Sequence, residues 1–271
     1  MPEGDTIHSA ARRIREALVG SEIEEIEAPQ PRHGRDRWPE RLGGRGVRAV
    51  DAQGKHLFIR FDGDLTLHSH LRLRGSWSVY RRGERWRRPA HRAWLVLRTR
   101  DHEVVQFDGP ELELMTDSRT RFDRRIAELG PDVLGAEFDD ERFLRRLRED
   151  EPTRGIADAL LDQRNLAGIG NVWKSEGCFL AGIDPWRPLA RLSDDEALAI
   201  VHALRPLMQL SAERGGPIAS LEPAQPFRRG ERPLWVYGRS GRPCRRCGTT
   251  IRSRGQGDDN RTTYWCPACQ A

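Results

Sequence analysis

The chain has 271 residues, of which 37% are hydrophobic and 32% charged, and its net charge is +5 at pH 7. This composition is typical of a globular protein of about two domains. No apolar run has the length of a membrane span and the N-terminus lacks the apolar core of a signal peptide, which excludes an integral membrane or exported protein and predicts a cytoplasmic one.

The basic residues are almost all arginine. Only Lys55 and Lys174 are lysine among the 46 Lys and Arg positions. An ammonium group can release a proton where a guanidinium cannot, so a surviving lysine can be a required one. For Lys174, chance is a better explanation of the lysine than a functional requirement. The net positive charge by itself is only a weak indication of a polyanionic partner.

The first predicted element is a helix over residues 5–19. Its apolar stripe consists of Ile7, Ala10, Ala11, Ile14 and Leu18. Asp5 or Thr6 is the expected N-cap. Pro2 and Glu3 then stand just before the positive end of a helix dipole.

Short β-branched or aromatic runs separated by Gly and Asp turns follow, from about residue 45 to residue 115. The predicted strands are residues 56–61, 65–73, 76–80, 93–99 and 103–107. Regular spacing of short strands predicts an antiparallel sandwich or barrel.

Helical spacing returns over residues 140–214, and a segment rich in Gly, Pro and Arg, residues 215–233, is predicted to be a mobile loop. The predicted boundaries place one domain at 1–130, a linker at 131–148, a helical domain at 149–233 and a cysteine module at 234–271.

Four of the five cysteines form two Cys-x2-Cys pairs, Cys244 with Cys247 and Cys266 with Cys269. This spacing is typical of a closed four-thiolate zinc site, in which the metal stabilises a small fold and does no chemistry. The hairpin between the pairs carries Arg252, Arg254 and Arg261, which are candidates for contacts to phosphate. The fifth cysteine, Cys178, is predicted to be a buried apolar residue.

The N-terminal Pro2-Glu3 pair has the chemistry of a nucleophile beside an acid or base. Removal of Met1 would expose a secondary α-amine, and α-amino groups have a pKa of roughly 8, well below that of lysine. Such an amine can form a Schiff base with a carbonyl carbon, and Glu3 can transfer protons. Taken alone, a Pro-Glu pair at positions 2 and 3 is explained equally well by chance and does not indicate catalysis.

Two further motifs are open to structural explanations. In residues 160–176, Gly168 and Gly170 permit tight turns and the close approach of a ligand, and Asn171 begins a helix whose N–H groups suit a phosphate. Such a turn also commonly just connects core helices. Gly54-Lys55-His56 enters a strand at a predicted hairpin, where a lysine is normally solvated.

Together these features resemble the formamidopyrimidine-DNA glycosylase and endonuclease VIII family. The matching segments are MPEGDT, GKHLFIRF, LGPDVL, LLDQRNLAGIGNVWKSE and the cysteine module. The match looks closest to the endonuclease VIII-like branch of high-GC bacteria. The resemblance implies a two-domain α+β fold, with an N-terminal antiparallel β-sandwich after one helix and a helix-two-turn-helix domain that ends in a zinc-finger hairpin.

The resemblance also implies roles for individual residues. Pro2 attacks C1′ as the Schiff-base nucleophile, Glu3 is the acid/base, and Lys55 binds phosphate and assists. Arg261 and Asn171 hold the DNA backbone near the lesion. Base excision is followed by β,δ-elimination, which nicks the strand.

The family flips the damaged nucleotide out and fills the gap with side chains. Arg72, Leu73 and Arg74 stand at these plug positions, although the arginines depart from the polar and aromatic residues expected there. An exposed hairpin tip is the structural alternative. Glu128 stands where a phosphate-binding arginine is expected, so that role is not transferred to Arg124 or Arg125.

The implied partner is double-stranded DNA with damaged bases or abasic sites. The protein is expected to be a bacterial monomer that associates with the nucleoid through DNA and does not bind a membrane. One structural Zn²⁺ is the expected cofactor. Oxidised pyrimidines are favoured as substrates because the plug lacks the methionine of the purine-specific branch. The alternatives are purine specificity, a non-catalytic module that binds damaged DNA, and a zinc-ribbon protein acting on RNA, for which no motif is present.

Overall fold

The computed structural model describes residues 2–31, 33, 36–215 and 234–270. They form two compact units. The first unit contains Pro2 and residues from Thr6 to Ala127, and the second contains Glu3–Asp5 and residues from Glu128 onward. The predicted α+β class is confirmed. The segment 216–233, which includes nearly all of the predicted mobile loop, lies outside the described residues.

The first unit contains one long helix and two antiparallel sheets. Helix α1 (Gly4–Leu18) is followed by β1 (Glu25–Glu27), α2 (Trp38–Leu42), β2 (Val47–Gln53), β3 (His56–Phe61), β4 (Leu65–His70), β5 (Ser76–Arg81), β6 (Ala93–Arg98), β7 (His102–Phe107), β8 (Glu111–Thr116), α3 (Asp117–Phe122) and α4 (Arg124–Ala127).

The two sheets form the predicted sandwich. One sheet has the order β2-β3-β4-β8 and the other the order β1-β6-β7-β5, with every neighbouring pair antiparallel. Inward-facing residues of both sheets share one core with the apolar stripe predicted for α1: Ile7, Ala10, Ala11, Ile14 and Leu18. Burial of this stripe and of the sheet faces against each other supplies the main stabilisation of the unit.

Two predictions about the strands need correction. The strand expected over 65–73 ends at His70, because Arg72 has a φ of 48° and turns the chain out of the sheet. Strands β1, β2 and β8 were not predicted, since charged residues interrupt their short apolar runs. All three complete the sheets, and each of them lies at a sheet edge.

The second unit is helical and ends in a hairpin. Its elements are α5 (Asp140–Glu149), α6 (Ile156–Ala159), α7 (Asn171–Ala181), α8 (Asp194–Arg214), β9 (Arg252–Gln256) and β10 (Arg261–Trp265). A capping box between Ser193 and Glu196 begins α8. Helix α6 is shorter than the predicted helical segment, and residues 160–170 form a loop before α7.

The core of this unit includes residues from the stretch predicted as a linker. Val133, Phe143 and Leu147 are buried with the side chains of α7 and α8. All three lie within 131–148, the stretch predicted as a linker. No helix in the part of the chain that the structure describes is long and apolar enough to cross a membrane.

Candidate active site

Glu3 is a buried acid of the second unit, and its side chain lies at the N-terminus of α7. The carboxylate accepts hydrogen bonds from the backbone N–H groups of Gly170 (3.0 Å), Val172 (2.8 Å) and Trp173 (3.2 Å). Only 2% of Glu3 is exposed. Unpaired N–H groups and the positive end of the helix dipole stabilise the negative charge. The acid that follows Pro2 is therefore held in one position.

This contact corrects the phosphate site predicted at the start of α7. The N–H groups expected to bind phosphate already bind Glu3. Gly168 and Gly170 do permit close approach, but the approaching group is the N-terminal segment of the same chain. The Gly4 N–H donates to the Gly168 carbonyl at 2.8 Å, and Gly168 has a φ of 101°.

The cap predicted for α1 is also wrong. The helix begins at Gly4, so Asp5 and Thr6 lie inside its first turn. Asp5 is instead buried and accepts a hydrogen bond from the Ser211 hydroxyl of α8 at 2.5 Å. Glu3 and Asp5 thus belong to the second unit, where backbone N–H groups at the start of α7 bind Glu3 and the Ser211 hydroxyl of α8 binds Asp5.

Asn171 and the hairpin that carries Arg261 lie together in the second unit. The Asn171 amide Nδ2 donates to the Thr262 carbonyl at 2.8 Å, and Asn171 is 8% exposed. Arg261, the neighbour of Thr262, begins β10 and is exposed, with an ion pair to Asp259 at 3.5 Å. An exposed guanidinium beside an anchored amide is a suitable arrangement for binding a phosphate.

The four cysteines predicted as metal ligands converge. All four Sγ atoms lie within 4.8 Å of one another, with 4.0 Å between Cys244 and Cys269 and 3.5 Å between Cys247 and Cys266. Thiolates bound to zinc at about 2.3 Å in a tetrahedron lie roughly 3.8 Å apart. The donor set therefore fits one structural zinc ion. Cys178 is fully buried as predicted, and burial raises the pKa of its thiol to about 12.

A second buried glutamate was missed by the sequence reasoning. The Glu176 carboxylate of α7 accepts from the backbone N–H groups of Trp235 (2.8 Å), Val236 (3.0 Å) and Tyr237 (2.9 Å). Burial raises the pKa of Glu176, although these three bonds oppose the rise. Glu176 thus attaches the segment that leads into the cysteine module to α7. In the sequence, the only signal for this contact was that Glu176 has no charged residue three or four positions away in the helix.

Lys55 and the plug residues lie in the first unit. Lys55 follows Gly54, which has a φ of 58°, in the two-residue turn between β2 and β3, as predicted. Residues Arg72–Arg74 form the turn between β4 and β5. Because these strands belong to different sheets, the turn is not the tip of a hairpin. Leu73 at its apex is 60% exposed.

Two flanking residues constrain the plug turn. The Arg72 N–H donates to His70 Nδ1 at 3.2 Å, and the Arg72 guanidinium pairs with Glu111. Single exposed apolar side chains are common on protein surfaces, so the exposure of Leu73 is compatible with a wedge and does not by itself indicate one. Arg125, considered above for a missing phosphate contact, is bound by Asp123 and Glu113, and their carboxylates raise its pKa.

Three family models match the chain in succession. The formamidopyrimidine-DNA glycosylase N-terminal domain matches residues 1–122, the formamidopyrimidine-DNA glycosylase H2TH domain matches residues 129–222, and a zinc finger found in FPG and IleRS matches residues 241–271.

Similar proteins match over their whole lengths. The chain is 44% identical over 278 residues to a probable endonuclease 8 2 of Streptomyces coelicolor, covering 94% of that protein. It is 40% identical over 270 residues to the DNA-(apurinic or apyrimidinic site) lyase Nei2 of Mycolicibacterium smegmatis, covering 99% of it. Both matches include 100% of this chain.

Solved structures similar to this chain include DNA glycosylases bound to DNA. The chain is similar to the Lactococcus lactis formamidopyrimidine DNA glycosylase non-covalently bound to DNA containing an AP site, with a TM-score of 0.80 and 26% identity over 99% of each chain. It is also similar to MutM in complex with DNA containing carbocyclic 8-oxo-G, with a TM-score of 0.80 and 26% identity over all of both chains.

Proposed function

The chain belongs to the formamidopyrimidine-DNA glycosylase and endonuclease VIII family, and on this basis we propose that it is a bifunctional DNA glycosylase and abasic-site lyase of base-excision repair. The observation that carries the proposal is the Glu3 carboxylate, buried and held by three N–H groups directly after Pro2. A protein that only binds damaged DNA has no need of a fixed acid beside a nucleophilic amine.

The proposed reaction begins at Pro2. After removal of Met1, the Pro2 amine attacks C1′ of the damaged nucleotide, the bond from C1′ to the base breaks, and a Schiff base links protein and sugar. Glu3 transfers the protons that opening of the sugar requires. The Schiff base acidifies the neighbouring carbon, so that β- and then δ-elimination expel the 3′ and 5′ phosphates and nick the strand.

The other residues bind and orient DNA in this proposal. Asn171 and Arg261 hold the phosphate near the lesion, and Lys55 binds phosphate and assists the reaction. Zinc supplies no chemistry of its own, since all four of its positions are filled by cysteine. It holds the hairpin that carries Arg261. Arg72, Leu73 and Arg74 fill the gap left by the flipped nucleotide, with Leu73 as the apolar wedge.

We also propose oxidised pyrimidines as the preferred lesions and the bacterial chromosome as the site of action. The support for this lesion class is that the plug turn, Arg72–Arg74, lacks the methionine expected of the purine-specific branch. The division at 1–130, 131–148, 149–233 and 234–271 likewise stays a proposal. A cleavage panel of 8-oxoguanine, thymine glycol, 5-hydroxyuracil and dihydrouracil in single and double strands tests the substrate class.

Borohydride trapping on DNA with an abasic site tests the mechanism. The wild-type protein should form a covalent adduct, because borohydride reduces the Schiff base. Pro2→Gly should retain part of this activity through its primary amine. Glu3→Gln should lose base excision and still process a preformed abasic site.

Two outcomes would contradict the proposed activity or the proposed role of Glu3. If the wild-type protein binds abasic DNA and forms no adduct, while Cys244→Ser abolishes binding, the protein is a binding module. If Glu3→Gln excises damaged bases at the wild-type rate, the assignment of Glu3 is wrong.

A further inference from the structure

Lys174 lies in α7 of the second unit, and its side chain is fully buried. Within the described residues its Nζ has no hydrogen-bond partner. Burying an ammonium group without partners costs free energy, since three donors lose their water. A Met or Leu would fill the same space without this cost. The lysine therefore calls for a reason other than stability, in a chain that has only one other lysine.

Asn171 stands one helical turn before Lys174, on the same face of α7. Its Nδ2 donates to the Thr262 carbonyl, and this bond fixes which end of the amide faces the hairpin. The other end, Oδ1, is buried and lacks a partner in the part of the chain described by the structure. An unsatisfied acceptor and an unsatisfied cationic donor thus share one helix face, next to the hairpin that bears Arg261.

Charged and titratable groups from four segments act on the Lys174 ammonium. Burial is the largest effect and lowers the pKa of Lys174 from 10.5 to about 8. Cys178 of α7 itself, Asp158 of α6 and Glu3 ahead of α1 favour the charged form, whereas Arg261 of β10 opposes it. The side chain is therefore mainly protonated at pH 7 and mainly neutral at pH 9.

We propose that Lys174 is a positioning residue of the phosphate site that the proposed function assigns to Asn171 and Arg261. Its ammonium places a positive charge behind the Asn171 amide. The inference rests on the proposed function, because it needs a DNA phosphate at this site.

Phosphate binding and protonation of Lys174 should be coupled. A phosphate bound at Asn171 and Arg261 favours the charged form of Lys174, because an opposite charge nearby stabilises an ammonium. Linkage is reciprocal, so protonation of Lys174 strengthens phosphate binding by the same factor. A lysine that only filled space would show no such coupling.

The test measures binding to a duplex that contains a tetrahydrofuran abasic analogue, which cannot form a Schiff base. Fluorescence anisotropy at pH 7 and pH 9, at constant salt, gives the Kd of the full-length wild-type protein, Lys174→Met and Lys174→Arg. The wild-type affinity should fall several-fold more between pH 7 and pH 9 than that of Lys174→Met. Lys174→Met should bind more weakly than wild type at pH 7 and equally at pH 9.

Lys174→Arg keeps the charge at both pH values and should not show the extra fall. Arg145→Met, which removes an exposed cation of α5, should keep the wild-type pH dependence. The inference is overturned if Lys174→Met and wild type have the same Kd at both pH values. If the wild-type protein does not bind the duplex at all, the proposed function fails first.

Calorimetry provides a second readout if Lys174→Met does not fold. Binding at pH 8, measured in two buffers of different ionisation enthalpy, should show proton uptake by the wild-type protein and less uptake by Lys174→Arg. Equal uptake by both proteins would assign the proton to another group and reject the inference.

Discussion

Gly170 stands where the Glu3 carboxylate meets the backbone of α7, and the contact leaves no room for a side chain. A Cβ added at Gly170 would lie 2.4 Å from Glu3 Cδ, far inside van der Waals contact. The backbone of Gly170 is extended, with φ of −129°, so an alanine fits its conformation. Only the Glu3 position is incompatible with a larger residue. One glycine thereby sets the location of the proposed acid.

Gly170→Ala should displace Glu3 and slow base excision by about 100-fold, the order of loss expected when a catalytic group moves by an ångström. Excision is measured on a duplex with an oxidised base, together with the melting temperature. Gly20→Ala is the matched control. Its φ is 80° with nothing near the added Cβ, so it should lose a little stability and no activity. Normal excision by Gly170→Ala would show that Glu3 need not occupy this position.

At the scale of secondary structure, strands β3 and β4 carry a buried histidine cluster. His56 pairs with His70 across the strands, and His56 Nδ1 lies 2.8 Å from His68 Nε2. Burial, and then the neighbouring histidines, lowers the pKa of His56 to about 3. Burial likewise lowers the pKa of His70 to about 4, although Glu111 opposes the shift. The cluster is therefore neutral in the folded unit at pH 7.

Acid should destabilise this sheet. The ordinary histidine pKa is 6.5, so between pH 6.5 and the folded values the unfolded chain binds more protons than the folded one. Stability from these groups is complete above pH 6.5 and is lost as the pH falls toward the folded pKa values, at about 1.4 kcal/mol per pH unit for each group.

Hydrogen exchange at the β3 and β4 amides, measured at pH 7 and pH 5, reports this loss after correction for intrinsic exchange rates. His56→Gln should weaken the pH dependence of the opening free energy, whereas His91→Gln, at an exposed histidine, should leave it unchanged. A His56→Gln protein with the full wild-type pH dependence would contradict the assignment.

For the whole molecule, we expect the proposed DNA binding by the second unit to depend on the small zinc module. The hairpin carries Arg261 and supplies the Thr262 carbonyl that anchors Asn171, while Glu176 holds the segment leading into the module. A fold of this size buries too little apolar surface to be stable alone, so the metal contributes folding free energy. Loss of zinc should therefore affect DNA binding without any zinc chemistry.

Removal of zinc by a chelator, or Cys247→Ser, should abolish strand nicking and weaken binding to abasic DNA. The cause would be loss of the hairpin, and circular dichroism should show that the helices remain. Cys178→Ala is the control. Because Cys178 lies outside the cysteine cluster, the variant protein should retain zinc and activity. Full nicking by a protein shown to contain no zinc would contradict a supporting function for the metal.

Patterns of short range were predicted correctly. The stripe of α1, the strands β3 to β7 and the four zinc ligands depend on periodicity and spacing, which neighbouring residues determine among themselves. Strands β1, β2 and β8 escaped prediction because their short, charged runs become strands only when a sheet edge is there to bind them. The predicted cap of α1 failed for a related reason, since Asp5 has a better partner in Ser211 of α8.

The sequence by itself determined the identity of the chemical groups: an amine and an acid at the N-terminus, four thiolates at zinc spacing, and a hairpin of arginines. Only the tertiary structure decided which of them meet. Glu3 and Gly170 are 167 residues apart, and the fold of the second unit, to which both belong, places the acid on N–H groups of α7 that the sequence offered to phosphate. The complete burial of Lys174, which its rarity as a lysine could not show, also became visible only in the fold. No local pattern encodes these contacts, because they depend on how distant segments pack together.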